Sequence, residues 1–522
     1  MVGVVNVPEK VLKKLNGHFL PEWKVCFFAA ILVGLFTHFY KIANWLPNWD
    51  SLVFRYDEQN MAAMGRWFLP VVCSFSSFYD LPFLNGIIAI IFHALGAICI
   101  CKMLNVKSKI TAALIGSVVV SYPTVTSFMM YNYVTDGYAI AFFLSTLAAV
   151  YMTKDKPKLI ISAILIALST GIYQAYITVT IMLVLLHLVD ELIFQNISVV
   201  VVLKKTAYML LTGLCGVIIY TVIFKSVLGI FSIELLDYQG ANQAATLSNI
   251  NIFASLYVIK ETFRKCFFDF SNGINLYVVL NGLLLFFTFA YYLKTILINK
   301  IYKKPATLFV VIILGIMSVL GAGAIAFVNP SVDYHNLMLM GYSVFYLFFI
   351  IIYERGTEKN EKHTAIKKWI LLLTSALMIA NQVVIANVSY HKAQMAYEKS
   401  YGVLIRIADR IEQTEGTDAS DKILVIGALS DSEAYSVNLT PDITGITEGY
   451  ILRKDDEVVG QSVLTSALND YCGKNFTFIS GDQKDAMLKR EEIKSMEEWP
   501  MKNCVAVVDG VVVVKLGTEG ED

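Results

Sequence analysis

Eleven long apolar runs divide most of this chain, and they constrain its fold more than any other feature. Each run is long enough, or nearly so, to cross the roughly 30 Å hydrocarbon core of a bilayer as a helix. The sequence is 56% hydrophobic and 16% charged, whereas an average soluble domain has about 25% charged residues. We therefore predict an all-α polytopic membrane protein with spans near residues 25–44, 82–101, 110–130, 137–152, 158–172, 176–193, 206–229, 275–294, 306–328, 335–353 and 367–388.

Lysine and arginine are concentrated in the even-numbered connections between these predicted spans, near residues 102–109, 154–158, 204–205, 294–304 and 355–368. Because positively charged loops are retained in the cytoplasm, these connections predict the inner face of the membrane. The odd-numbered connections, and the chain after about residue 389, are then predicted to face outward. The N-terminus is predicted to remain inside as a retained anchor, since no small-residue cleavage site follows the first apolar run and its preceding lysines, Lys10, Lys13, Lys14 and Lys24.

The C-terminal region differs from the apolar part in its charge. Counted from His391, it contains 24 acidic and 14 basic residues, although the whole chain has no net charge. We predict a membrane domain over residues 1–390 and a small extracytoplasmic α/β domain over residues 391–522. Cys472 and Cys504 would then lie in an oxidising space, where they could form a disulfide.

The pattern within this C-terminal region predicts both helices and strands. A helix-like stretch runs from Gln394 to Glu412, and a strand-like run covers residues 423–426. Two valine runs at 505–508 and 511–514 flank the pair Asp509 and Gly510. An Asp-Gly pair between two such runs is a strong hairpin signal.

A polar, aromatic segment follows the first predicted span and contains the first candidate site residues, Asp50, Asp57 and Arg66. If residues 50–66 are helical, Asp50 and Asp57 share one stripe and Arg66 lies on a neighbouring stripe. Carboxylates and arginines at the bilayer edge can meet both a lipid-carried phosphate and a water-soluble acceptor. The alternative is an amphipathic helix whose charges simply face water.

A second predicted outer stretch places Lys260 and Arg264 four residues apart, on one helical face. Positive charge is unexpected on this side, and a lipid phosphate or pyrophosphate would explain it. The alternatives are an interfacial helix bound to anionic headgroups and internal pairing with Glu261.

Short predicted outer turns contain Asp136, Tyr173 and Gln174. Turns favour polar residues for backbone reasons alone, but no turn needs the amide of Gln174, which suits a sugar hydroxyl. The sequence has no Walker-type loop, dinucleotide fingerprint, nucleophile elbow or zinc-binding HExxH helix. Chemistry that uses a nucleotide or a flavin is therefore not expected.

The stretch Gly65, Arg66 and Trp67, the Asp136 turn, the turn 171–176 and the outward C-terminal domain together resemble the Gtr-type serotype-conversion glucosyltransferases, polytopic enzymes of the GT-C fold. The resemblance covers roughly residues 25–390. It implies a hexosyltransferase that moves a hexose, usually glucose, from an undecaprenyl-phosphate carrier to a cell-surface polysaccharide outside the cytoplasmic membrane. The implied partners are the lipid-linked donor, the polysaccharide acceptor and the bilayer, without nucleic acid.

The resemblance also implies roles for the candidate residues. Asp50 would be the catalytic base, with Asp57 in reserve, because an essential acid typically follows the first span in GT-C enzymes. Here the next acids after Asp50 are Asp57 and Glu58, whereas family members often have two adjacent acids. The donor phosphate would be bound first by Arg66 and next by Lys260 and Arg264. Sugar hydroxyls would be bound by Asp136, Tyr173 and Gln174. No cofactor is expected, and a divalent metal would require Asp50 and Asp57 to converge.

Two other functions are compatible with a chain of this kind. The first is a transporter or flippase for a lipid-linked sugar, although the predicted spans contain few ionisable groups and no internal repeat. The second is a polysaccharide polymerase or ligase, which would use a lipid-pyrophosphate oligosaccharide instead of a monophosphate-linked hexose.

Overall fold

Helices predominate in a computed structural model of the chain, which describes residues 19–53, 61–154, 157–236, 251–269, 275–332, 334–355, 361–427 and 457–517. The helices, numbered in chain order, are α1 Pro21–Ala43, α2 Trp49–Val53, α3 Leu69–Cys73, α4 Pro82–Met103, α5 Lys109–Ser121, α6 Pro123–Phe128, α7 Asn132–Met152, α8 Leu159–Ile172, α9 Ile177–Ile193, α10 Val199–Phe231, α11 Ile252–Phe267, α12 Leu276–Ile298, α13 Pro305–Ala322, α14 Val344–Arg355, α15 Glu361–Gln413, α16 Glu457–Cys472, α17 Gly481–Leu488 and α18 Glu491–Lys494.

Within the described residues, nine helical segments are long and apolar enough to cross a membrane. They are α1, α4, α7, α10, α12 and α13, together with Lys109–Phe128, Gln174–Ile193 and Thr364–Gln413. The chain is therefore a multi-pass membrane protein. Every predicted span overlaps a helix, but α8 has 14 residues and α14 has 12. The count of eleven spans therefore stays a prediction.

Local sequence signals fix where several of these helices begin. Proline occupies the start of α4, α6 and α13, where its missing N–H removes no helical hydrogen bond. Asn275 caps α12 by accepting a hydrogen bond from the Val278 N–H at 3.0 Å. Ser108 caps α5 in the same way through the Thr111 N–H at 3.3 Å.

Small residues allow helices α1, α4 and α5 to pack closely. Ala30, Ala94 and Val120 form a buried cluster between them. At Gly116 a Cβ atom would lie 2.4 Å from the Cys26 carbonyl oxygen, so only glycine permits this approach of α5 to α1. Small interface residues are typical of helix pairs in membranes. By contrast, α10 exposes large apolar side chains such as Leu210, as expected of a helix that faces lipid.

Contacts divide the chain into two compact units. The membrane unit comprises Met1–Ala43, Glu58–Met129 and Val134–Asn387, and the C-terminal unit comprises Asn44–Asp57, Met130–Tyr133 and Val388–Asp522. Helix α15 contributes residues to both. The sequence suggested a span near 367–388 and a separate helix from Gln394, whereas the structure has one continuous helix.

The C-terminal unit contains one four-stranded sheet. Its strands are β1 Lys422–Ile426, β2 Thr477–Phe478, β3 Val505–Val508 and β4 Val511–Lys515, in the order β2-β1-β4-β3. Strand β1 is parallel to β2 and β4, and β3 is antiparallel to β4. The predicted hairpin is confirmed: Val508 pairs with Val511 across Asp509 and Gly510, both of which have positive φ.

Both faces of this sheet are covered by helices. Alternate strand residues point to opposite faces, so Ile423 and Val425 pack with α15 and α16, whereas Leu424 and Ile426 pack with α17 and α18. The C-terminal unit is thus a small α/β fold, as predicted. The structure has Cys504 as a free, buried thiol, so it does not show the disulfide that the sequence left open. The side chain of Cys472 lies outside the described residues.

Candidate functional site

The stretch from Gly65 to Trp67 forms a tight turn in the membrane unit. The Gly65 N–H donates to Ala62 O at 3.1 Å, and the Arg66 N–H donates to Met61 O at 2.9 Å. Gly65 has φ +81°, and a Cβ atom there would lie 2.6 Å from Tyr220 Oη and 2.7 Å from Gln174 Nε2. Both the backbone conformation and the close neighbours therefore require glycine at this position.

This turn packs against the segment that joins α8 to α9. The Phe68 N–H donates to Gly171 O at 2.8 Å, and a Cβ atom on Gly171 would lie 2.6 Å from the indole of Trp67. Gln174 Nε2 donates to Met64 O at 2.9 Å. The Gly-Arg-Trp stretch and the 171–176 turn, which contributed to the family resemblance, are thus in direct contact.

Tyr220 on α10 adds a third element to this contact. Gln174 Nε2 donates to Tyr220 Oη at 3.2 Å, and Tyr220 Oη donates to Gly65 O at 3.1 Å. Each bond links a side chain to a neighbouring element, so the turn around Gly65 is fixed from two sides.

The side chain of Arg66 lies beside two tyrosine rings. Its Nη1 donates to Tyr138 Oη at 3.4 Å, and its Cζ lies 4.8 Å from the centre of the Tyr173 ring. The two rings stack on each other with centres 4.7 Å apart. A guanidinium over an aromatic face gains about 0.5–2 kcal/mol. We call Arg66, Tyr138, Tyr173, Gln174 and Tyr220 the Arg66 cluster.

An arginine held in this way is suited to binding an oxyanion. Its planar fork presents several N–H donors that match a carboxylate or a phosphate group. Arg66 is half-buried, so water screens such an interaction less than it would at an exposed position. The Arg66 cluster therefore combines a positive charge, aromatic faces and fixed hydrogen-bonding groups.

Asp136 lies close to this cluster in sequence, near the N-terminal end of α7, but it is only 1% exposed. Its Oδ1 accepts hydrogen bonds from the Gly137 N–H at 3.0 Å and from Cys73 Sγ at 3.9 Å. Burial, followed by the negative charge of Asp136, holds the pKa of the Cys73 thiol well above its usual value. The thiol therefore stays protonated and can donate to the carboxylate.

Asp50 belongs to the C-terminal unit and is 9% exposed. It lies on α2, described over Trp49–Val53, and residues 61–65 form turns. The idea of one continuous helix over residues 50–66 is therefore wrong, since Gly65 adopts a left-handed conformation. Asp57, the reserve base, lies outside the described residues.

Lys260 and Arg264 lie on α11, and both are paired with the same carboxylate. Glu261 lies 3.5 Å from Lys260 Nζ and accepts a hydrogen bond from Arg264 Nε at 2.8 Å. The hydrogen bond from Arg264 lowers the pKa of Glu261. Among the explanations given for Lys260 and Arg264, the one that is visible in the structure is pairing with Glu261.

The sequence did not identify Tyr138 and Tyr220 as members of the site. Tyr138 follows the Asp136 turn, but nothing in its spacing distinguishes it from other aromatic residues of a span. Tyr220 is a single tyrosine within the apolar run of α10. Among the residues described, no three His, Cys, Asp or Glu side chains are grouped so that they could hold a metal ion.

A model of one known protein family, Glucosyl transferase GtrII, matches residues 39–352 of this sequence. That match covers more than half of the chain. The chain belongs to the GtrII glucosyl transferase family. It is therefore a membrane glycosyltransferase, and the family activity is that of a glucosyltransferase. The matched region includes Asp50 and the Arg66 cluster, but it ends before α15 and the C-terminal sheet. Searches of the curated proteins and of the solved structures found no match.

Proposed function

We propose that this enzyme transfers a hexose, with glucose the expected one, from an undecaprenyl-phosphate donor to a cell-surface polysaccharide. The reaction would take place on the outer face of the cytoplasmic membrane, on a GT-C-type membrane domain over residues 1–390. Residues 391–522 would form the extracytoplasmic domain. The observation that carries this proposal is the position of Arg66, which is half-buried and held by the Tyr138 hydroxyl and the Tyr173 ring.

The proposed reaction is a displacement at the anomeric carbon of the hexose. The oxygen of an acceptor hydroxyl forms a bond to this carbon while the bond to the phosphate oxygen breaks. The electron pair leaves with the lipid phosphate, and the hydroxyl proton passes to the carboxylate of Asp50, with Asp57 as the reserve base. Because a phosphate is already a good leaving group, the reaction does not need the second carboxylic acid of glycoside hydrolysis.

Arg66 would stabilise the negative charge that develops on the departing phosphate. A preorganised donor of this kind is worth about 10²–10³ in turnover rate. Lys260 and Arg264 are the second choice for this role, since both already interact with Glu261.

The sugar would be bound by Tyr173, Gln174 and Asp136. Gln174 Nε2 already donates to Met64 O and Tyr220 Oη, so a sugar hydroxyl would donate to its Oε1. Asp136 is nearly inaccessible in this structure, which favours an indirect role in which its hydrogen bond from Cys73 supports the neighbouring residues of the site.

The outward placement rests on the distribution of lysine and arginine among the connections. It predicts an N-terminus inside and residues 391–522 outside. A cysteine-accessibility map on intact cells tests this directly. Labelling of positions in the C-terminal unit only after the membrane is permeabilised would contradict it.

The function itself can be tested with purified protein, a polyprenyl-phosphate-hexose donor and isolated surface polysaccharide. We expect the variants Asp50→Asn and Arg66→Ala each to lose at least about 100-fold in transfer rate. Arg490→Ala is the matched control, because Arg490 pairs with Asp509 on the exposed surface of the C-terminal unit. Wild-type rates in both test variants would refute the proposed mechanism.

The same assay distinguishes a hexosyltransferase from a polysaccharide polymerase or ligase. A hexosyltransferase of this kind uses the monophosphate-linked hexose and leaves a lipid-pyrophosphate oligosaccharide unused. Mass spectrometry of the polysaccharide product identifies the hexose that is added. Preferential use of the pyrophosphate donor would favour the polymerase or ligase.

A further inference from the structure

The ten residues that follow α1 include a buried anchor in the C-terminal unit. Leu52 on α2 is 3% exposed, and it belongs to the same hydrophobic core as Leu404 and Ile407 of α15 and Leu468 of α16. These partners lie more than 300 residues further along the chain. A segment directly after the first membrane helix is thus a structural part of the C-terminal α/β fold.

An aromatic contact provides a second anchor for the same segment. The Trp45 ring packs edge to face with Tyr397 at 5.9 Å and lies 6.0 Å from the Tyr471 ring. Tyr397 Oη donates to Tyr471 Oη at 3.1 Å, which fixes the two tyrosines relative to each other. Aromatic pairs in this geometry contribute specific orientation beyond the area that they bury.

Between these anchors, Asp50 lies on α2, whose residue Leu52 is buried in the C-terminal core. Helices in proteins are stabilised mainly by the packing of a buried face. Asn48 caps α2, with Oδ1 accepting from the Ser51 N–H at 2.8 Å. The conformation around Asp50 therefore depends on this cap and on the contacts of Trp45 and Leu52.

We propose that the C-terminal unit is the scaffold that positions Asp50, with Trp45 and Leu52 as the positioning residues. This inference rests on the proposed function, in which Asp50 accepts the proton. It assigns a task to the C-terminal unit, for which the sequence indicated no chemical role. The partners of Trp45 and Leu52 lie beyond residue 352, where the family match ends.

The test compares Leu52→Ala with Ile493→Ala in the full-length protein. Ile493 is buried in the core on the opposite face of the same sheet, so its truncation perturbs the C-terminal unit without touching the core that contains Leu52. Hydrogen–deuterium exchange of the peptide 44–53 is measured together with kcat and the donor KM. The conservative variant Leu52→Met serves as the rescue, since it keeps a large apolar side chain.

We expect Leu52→Ala to raise exchange in residues 44–53 by about tenfold or more. Its kcat should fall by about tenfold with little change in the donor KM, because misplacing a catalytic group slows chemistry more than binding. In Leu52→Met, both the exchange of residues 44–53 and kcat should be close to wild type. Ile493→Ala should leave exchange in this peptide unchanged.

Two results would overturn the inference. Unchanged exchange in Leu52→Ala would show that the C-terminal unit does not hold this segment. Raised exchange with a wild-type kcat would show that Asp50 needs no such support. Asp50→Asn, measured in parallel, separates these failures from failure of the proposed function: if it turns over at the wild-type rate, Asp50 is not the base and there is no catalytic group to position.

Discussion

Arg355 and Arg66 lie near opposite ends of the segment Gln174–Ile193, and their contacts differ in kind. Near the C-terminal end, Arg355 Nε and Nη2 donate to the two carboxylate oxygens of Asp190 at 2.8 and 3.0 Å. Near the other end, Arg66 donates to the Tyr138 hydroxyl and lies over the Tyr173 ring. The ion pair neutralises the charge of Arg355, whereas the two contacts of Arg66 hold its guanidinium against a hydroxyl and an aromatic face.

The residues around Arg355 and around Arg66 differ in the same way. Next to Asp190, Glu191 binds Lys205 and lies 3.3 Å from His187, so acids and bases are matched at that end. The Arg66 cluster has tyrosines and an amide in equivalent positions. An arginine in a bidentate buried pair stabilises the fold, and an arginine over an aromatic ring can bind a substrate anion. The residue type alone does not distinguish these tasks.

The largest expected effect comes from removing the ion pair between Arg355 and Asp190, which stabilises the fold. Arg355→Ala leaves the carboxylate of Asp190, which is 1% exposed, without its charged partner, although the hydrogen bond from Gln195 remains. Loss of one member of a buried pair costs about 3–5 kcal/mol, so thermal unfolding in detergent should shift strongly downward. An unfolding curve equal to that of the wild type would show that the pair does not stabilise the fold.

The next effect concerns the backbone that presents Arg66. Gly65→Ala should cost about 1–3 kcal/mol in strain, because φ is positive there and the new Cβ collides with Tyr220 and Gln174. We expect the transfer rate to fall at least about tenfold. Gly213→Ala in α10 is the control, since no atom lies within 4 Å of its added Cβ. Equal rates in the two variants would contradict a tightly fitted turn.

A smaller effect separates the ring of Tyr173 from its hydroxyl. Tyr173→Leu removes the aromatic face beneath Arg66, which is worth about 0.5–2 kcal/mol and corresponds to roughly 2- to 30-fold in rate. Tyr173→Phe keeps that face, so the rate should fall further in the leucine variant. Equal losses in both variants, measured as kcat/KM for the donor, would show that the ring does not orient Arg66.

The smallest expected effect concerns the hydroxyl of Tyr220. Tyr220→Phe removes its hydrogen bonds with Gln174 and Gly65, at a cost of about 0.5–1.5 kcal/mol. The transfer rate should fall severalfold while the unfolding temperature changes little. Tyr208→Phe on the same helix alters an exposed tyrosine and provides the comparison. If both variants behave alike, the Tyr220 bonds do not support the site.

The sequence predicted the elements of the fold well, because their signals are local. Apolar run length located the helices, and the pair Asp509 and Gly510 located the hairpin. The candidate site required contacts between distant segments, such as the bond between Gln174 and Met64, which are 110 residues apart. Spacing could place Arg66, Tyr173 and Gln174 on one predicted side of the membrane, but not in one cluster.

The environment of Asp50 was not predictable for a related reason. The apparent helical stripe from 50 to 66 ignored Gly65, whose left-handed conformation is stabilised by Tyr220 and Gln174. The partners of Leu52 lie in α15 and α16, and no local pattern indicates them. For Lys260 and Arg264, spacing allowed both a ligand phosphate and Glu261 as partners, and it could not choose between them.

The most direct test of the account measures Arg66→Ala and Arg355→Ala side by side, for single-turnover transfer from a polyprenyl-phosphate-hexose and for unfolding temperature. We predict that Arg66→Ala loses at least about 100-fold in transfer rate with an unfolding temperature within about 2 °C of the wild type. Arg355→Ala should lose mainly stability. A wild-type transfer rate in Arg66→Ala, or an unfolding temperature lowered as far as in Arg355→Ala, would contradict the assignment of Arg66 to the donor phosphate.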